Sequence, residues 1–142
     1  MHTLALAGGD LVATSSGHLV IDGAAMVRQN LACALAEPVG TDRFHPDWGS
    51  TLDAQIGSPL TDAEAMGVRA EAVRVVQSLI AAQGAAISAD AAAGVRSRFS
   101  AADVIARLND VAVTPSLDAA TVVVSVTTGA GAQVGSATMA AP

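Results

Sequence analysis

Hydrophobic and polar positions follow two periods along this chain, and the change between them outlines its architecture. Asp10-Leu11-Val12-Ala13 and His18-Leu19-Val20-Ile21 are short apolar runs flanking Thr14-Ser15-Ser16-Gly17, the pattern of a β-hairpin with a Ser/Gly turn. The period then lengthens. Val27, Leu31 and Leu35 recur on one face, predicting a helix from about Ala24 to Leu35 with Asp22 as its N-cap and Arg28, Gln29 and Asn30 off the stripe. Glu37-Pro38-Val39-Gly40 ends it, because proline disfavours helical geometry in the preceding residue and glycine permits positive φ.

After an irregular stretch, Thr41 to Ser50, and a turn of helix around Leu52 to Ile56, Thr61-Asp62-Ala63-Glu64 has the form of a capping box. A long helix is predicted from Asp62 to about Ala82. Its broad stripe comprises Met66, Val73, Val76 and Ile80 with Val68, Ala72, Val75 and Leu79 alongside, leaving Arg69 and Arg74 outside. Gln83 to Arg98 has little periodicity and is assigned a short strand at Ala86-Ile87-Ser88. Ser100 to Asp103 would cap a short third helix reaching about Leu108. The period then falls to two. Val111-Ala112-Val113-Thr114, broken by Pro115, the β-branched run Thr121 to Thr127, and Gln133 to Met139 after the turn at Gly129-Ala130-Gly131 predict a C-terminal antiparallel β segment. The fold class expected is α+β, a small single domain over 1–142: a hairpin (1–23), a helical part (24–83) with a loop at 37–60, and a short helix plus strands (84–142).

Composition narrows the function. The 142 residues hold seven Arg, no Lys and thirteen acids, a net charge of −6, which disfavours nucleic-acid backbones and anionic membrane surfaces. No Tyr, one Trp and two Phe leave few aromatic platforms for bases or sugars. Although 51% of residues are hydrophobic, they are mostly Ala and Val, and no uninterrupted run approaches the roughly 18 residues of a spanning helix. The first ten residues lack the basic flank and apolar core of a secretory signal, so a cytoplasmic site of synthesis is expected. Cys33, the only cysteine, reads as a small apolar side chain on a helix rather than a catalytic thiol. From Ala119 to Pro142 no residue is charged, although strands need guarded edges. Such a segment is covered either by its own domain or by a partner.

No constellation points to catalysis or to a cofactor. His2, His18 and His45 do not cluster, and zinc needs about three or four ligands. Glu37, Asp42 and Asp47 bracket the irregular loop, and paired carboxylates serve glycoside hydrolysis, but nothing in their context marks a raised pKa. Asp42-Arg43 has the makings of a local ion pair. Ser15-Ser16 and Ser97 to Ser100 lack a G-x-S-x-G setting. The glycine pairs lack the lysine of a P-loop.

The order of elements, together with Gly9-Asp10-Leu11, Gln29, Gly40 and Pro46-Asp47-Trp48-Gly49-Ser50 within the loop Gly40 to Ser50, resembles the baseplate wedge, or sheath-initiator, family of contractile phage tails and related injection systems. The resemblance covers residues 4 to about 83. It departs from the family after the long helix, where a Glu-Pro-Arg motif implicated in docking is replaced by Ala82-Gln83-Gly84-Ala85-Ala86-Ile87. It implies a non-enzymatic structural protein of the virion tail baseplate, assembled in the bacterial cytoplasm. Its implied partners are other wedge proteins, the first ring of tail sheath, and the tail tube or hub, with no nucleic acid, membrane or cofactor. The expected interface residues are Gln29, Gly40, Asp42, Arg43, Pro46, Asp47, Trp48 and Gly49 in the helix and loop, with Trp48 as anchor, and Thr121, Val122, Val123, Val124 and Val126 as strands offered to the sheath. A lysozyme-like peptidoglycan hydrolase and a free-standing interaction domain are the alternatives.

Overall fold

Two helices packed against a three-stranded antiparallel sheet, with an N-terminal β unit beside the first helix, make an α+β domain; the computed structural model describes residues 1–55, 61–116 and 119–140. The N-terminal unit is not the single hairpin expected. It holds six two-residue strands: β1 (Thr3–Leu4), β2 (Leu6–Ala7), β3 (Asp10–Leu11), β4 (Ala13–Thr14), β5 (Gly17–His18) and β6 (Val20–Ile21). These pair as three arms, β1 with β6, β2 with β3, and β4 with β5. The arms meet in a closed ring of backbone bonds: Ala5 N–H donates to Leu19 O (2.8 Å), Leu19 N–H to Val12 O (3.0 Å) and Val12 N–H to Ala5 O (3.0 Å). The Gly8-Gly9 turn, both residues at positive φ (60° and 89°), is the second reversal that the hairpin reading missed.

Helix α1 spans Gly23–Ala36 and buries Met26, Val27, Leu31, Ala34 and Leu35, as its stripe predicted. Its N-terminus is satisfied differently from expectation. Asp22 makes no side-chain cap; its carboxylate lies 3.4 Å from His2 Nδ1. The free Gly23 N–H instead donates to Asp103 Oδ1 at 2.8 Å. Asp103 is buried, and its other oxygen accepts from the Met1 amine (2.7 Å) and from Ser100 N–H and Oγ (both 2.8 Å). Burial raises the Asp103 pKa, but these donors more than offset it and hold the carboxyl well below the usual range.

Helix α2 spans Asp62–Ala92, ten residues past the expected end, with the capping box formed: Thr61 N–H donates to Glu64 Oε2 (2.7 Å) and Glu64 N–H to Thr61 Oγ1 (3.3 Å). The strand assigned to Ala86-Ile87-Ser88 is therefore helix. The segment is rich in alanine, the strongest helix former, and lack of amphipathic period does not stop a helix that few residues need to anchor. Gln83 supplies the anchor, donating to Asp103 O (3.2 Å) and accepting from Ile105 N–H (2.9 Å). Val68, Ala72, Val75, Val76 and Leu79 are buried, Val73 and Ile80 pack partly on the core, and Met66 is 73% exposed, off the face on which it was placed. By length and mean hydropathy (1.3 over its most apolar 18 residues) α2 could cross a bilayer, yet its large side chains mostly face the core and its outer face is mainly Ala, Ser, Gln, Gly and Arg.

The third helix is one 3-10 turn, Ala101–Asp103, and Ile105 to Leu108 belong to a strand. Strands β7 (Ile105–Pro115), β8 (Ala120–Thr128) and β9 (Gln133–Ala140) form the sheet in the order β7-β8-β9. Two irregularities in β7, between Ile105 and Arg107 and between Leu108 and Asp110, place Ile105, Leu108, Val111 and Val113 opposite the inward residues of β8. The expected helix rested on Ser100 and Asp103 as its cap; Asp103 does accept from Ser100 N–H, but a single 3-10 turn follows before the strand begins. Val122, Val124, Val126 and Val134 complete the core beneath the helices.

Candidate interaction site

The expected interface residues separate into three groups. Gln29 is committed internally: its carboxamide accepts from Leu6 N–H (2.7 Å) and donates to Leu4 O (2.8 Å), so it clamps the N-terminal unit to α1. The β8 residues are also internal. Val122, Val124 and Val126 are wholly buried, Thr121 is half-buried, and Val123 alone is exposed, on the outer face of the sheet. Because β8 is bonded to β7 on one side and β9 on the other, it has no backbone to offer a further strand.

The edges of the sheet are β7 and β9, and they differ. β7 is kinked by its two irregularities, carries Arg107 and Asp110, and ends on Pro115, all devices that discourage edge pairing. β9 pairs with β8 in unbroken register from Thr127↔Gln133 to Ala120↔Ala140 and contains neither charge nor proline. Val134 and Ser136 are buried, while Gln133, Gly135 and Ala137 are exposed. Among the described residues no backbone group of β9 is bonded outside the sheet. The uncharged tail was legible in the sequence, but the open strand is its last one rather than the most β-prone one.

The loop after α1 is tied down at its base. Pro38 and Ser50 form a parallel bridge, with Val39 N–H donating to Ser50 O (2.9 Å) and Ser50 N–H to Glu37 O (2.8 Å). Ser50 Oγ donates to Leu35 O at 2.7 Å. Gly49 is buried at φ +102°, and a Cβ there would lie 2.5 Å from Glu37 O, so only glycine fits. Trp48 is tucked in rather than offered: its ring packs partly on the core and its Nε1–H donates to Glu37 Oε2 (2.9 Å). Thr41 Oγ1 lies within hydrogen-bonding distance of Glu37 Oε1 (3.1 Å) and Pro38 O (2.8 Å). Gly40 makes the preceding turn at φ +84°.

Helix α2 buttresses the loop. Arg74 donates to Gly49 O (2.9 Å) and to both oxygens of Glu71 (2.7 Å each), and Glu71 Oε1 also accepts from Thr51 N–H (2.7 Å). Arg74, followed by the Thr51 N–H, lowers the Glu71 pKa to about 2. Beyond these ties the loop is free. Asp42 pairs with His45 (Nδ1 to Oδ2, 3.0 Å) and accepts from Phe44 N–H (2.8 Å), and not with Arg43; the Phe44 N–H and His45 hold its carboxyl below the ordinary range. Arg43, Pro46 and Asp47 are exposed, and Phe44, at 86%, is the most exposed large apolar residue among those described. Sequence reasoning placed the anchor at Trp48 and missed Phe44; both aromatic residues stand in the same loop, and only packing distinguishes them.

Among the described residues no group of three or more His, Cys, Asp or Glu side chains is arranged to hold a metal ion. In comparisons with protein-family models, curated proteins and solved structures, none matches this chain.

Proposed function

We propose that the protein is a structural wedge subunit of a contractile-tail baseplate, and that it starts sheath polymerisation by accepting a strand along β9. The reading joins the sequence resemblance to one observation: the β9 edge is regular and uncharged and has no second strand partner among the described residues, while the opposite edge is defended. An added strand would gain affinity from backbone hydrogen bonds, with the small residues Gly135 and Ala137 leaving room for its side chains on the outer face. The segment Thr121 to Val126 supports such an edge from behind rather than joining the partner itself. Docking to the wedge falls to surfaces other than a Glu-Pro-Arg motif, since residues 82–87 lie inside α2.

The test is a lysine on the open strand. Deleting residues 119–142 would remove the central strand and its core valines, so loss of function there would report unfolding. Ala137→Lys places a charge on an exposed edge position and spares the core. Expressed with the remaining tail proteins, this variant should join baseplates that carry no sheath. Sheathed tails of normal length would overturn the proposal.

A further inference from the structure

Two unsatisfied apolar features remain outside this reading, and they complement one another. The first is Phe44, held out on a loop whose base is fixed by the Gly49, Ser50 and Glu37 contacts. A preorganised loop loses little conformational freedom on binding, so an exposed aromatic ring at its tip is suited to fill a pocket. The second is a trough of ≈ 570 Å³ between the N-terminal β unit and α1. Val12, Leu19 and Ile21 line one wall, and Ala25, Ala32 and Cys33 the other. Its volume is in the range of pockets that hold whole ligands, and its lining is apolar. Leu4, Leu6, Leu11, Leu19 and Val20 leave the same unit with an unusually apolar exterior for a −6 protein.

We infer that the Phe44 tip of one copy seats in the trough of a second copy of this chain. The trough runs along α1 to Ala36, whereas Phe44 stands on the loop beyond that end and does not line it. The knob and the socket are different surfaces, so the contact is head-to-tail and each copy gives one and takes one. Charge agrees with this pairing. Arg28 is the only charged residue of the trough and has no ion-pair or hydrogen-bond partner among the described residues. The loop brings Asp47 three positions from Phe44; it has no hydrogen-bond partner among the described residues, though it shares the field of Arg74 behind the loop. A second copy supplies both the socket for the ring and the acid for Arg28, where an unrelated partner would need to supply each separately. The contact is small beside the roughly 1,600 Å² of a standard interface, and like net charge opposes it. It is therefore weak between free copies and strong where an assembly holds copies side by side at high effective concentration.

Cys33 lies in the socket and permits a direct test with the purified full chain. In Arg43→Cys, which keeps the Phe44 ring, a mild oxidant at alkaline pH should yield multimers joined between Cys33 of one copy and the introduced thiol of the next, identified by peptide mapping. Alkaline conditions are needed because burial, then Glu37, raises the Cys33 pKa. In sedimentation equilibrium the wild-type chain should associate weakly and reversibly. Phe44→Ala and Arg28→Glu should each weaken that association at least tenfold while melting with the parent, and Arg28→Glu combined with Asp47→Arg should recover it. Three results overturn the inference: a wild-type chain that stays monomeric at millimolar concentration, with laurate binding then marking the trough as a small-ligand site; links only between introduced thiols; or association indifferent to Phe44→Ala.

Discussion

The loop from Glu37 to Ser50 and the strand β9 are opposite kinds of surface. The loop is irregular, yet its base is saturated with internal bonds: Glu37, Thr41, Trp48, Gly49 and Ser50 all spend their polar groups on the molecule itself. β9 is regular, and among the described residues its outer side makes no backbone bond. A distinctive sequence therefore marks a place that is hard to build, while a bland one marks a place left available. The two edges of the sheet repeat this contrast, since β7 carries the charges, irregularities and proline that β9 lacks.

Substitutions that disturb only one of the two regions can break this contrast, and stability is the measure. Gly49→Ala should have the largest effect, destabilising the fold by roughly 2–4 kcal/mol in urea denaturation, because it adds a clash with Glu37 O to a disfavoured φ. A neutral result would mean that the loop base is pliable. Glu71→Gln comes next, at about 1–2 kcal/mol, through weakened bonds to Arg74 and the Thr51 N–H. The same carboxylate gives a pH signature. Its folded pKa is about 2, below the unfolded value of about 4.3, so its stabilisation is present in full above the unfolded value and fades as pH falls through the folded one. In wild type an acid titration of stability should decline across that window, and Glu71→Gln should flatten part of the decline. Ala137→Lys should have the smallest effect, within about 0.5 kcal/mol of wild type, because its site is exposed. A larger loss would show that the β9 surface is already in use.

Much of the architecture was readable where local chemistry decides it. The α1 stripe, the Thr61–Glu64 capping box and the valine-rich β8 follow from side-chain period and cap chemistry within a few residues. The misreadings share a different cause. The N-terminal arms depend on bonds among Ala5, Val12 and Leu19, the α1 cap on Asp103, and the last turns of α2 on Gln83 reaching Asp103 and Ile105. Each is a contact between distant residues that no local window contains. At the candidate site the signature glycine and serine were found, but their role is to close the loop. The choice between Trp48 and Phe44 as the outward ring required the packed core.

Asp103 also bears on the order in which the chain can fold. It closes the amino end of α1 across eighty positions of sequence, and the same side chain fixes Ser100 just before the sheet begins. A nascent chain can wind α1 early, but the helix lacks this terminal acceptor until residue 103 has left the ribosome. Contacts this far apart slow the search for the native state, and they make its completion a joint event for both halves of the molecule. Hydrogen exchange at the first turn of α1 should therefore report closure of the whole domain, not fraying of one helix end.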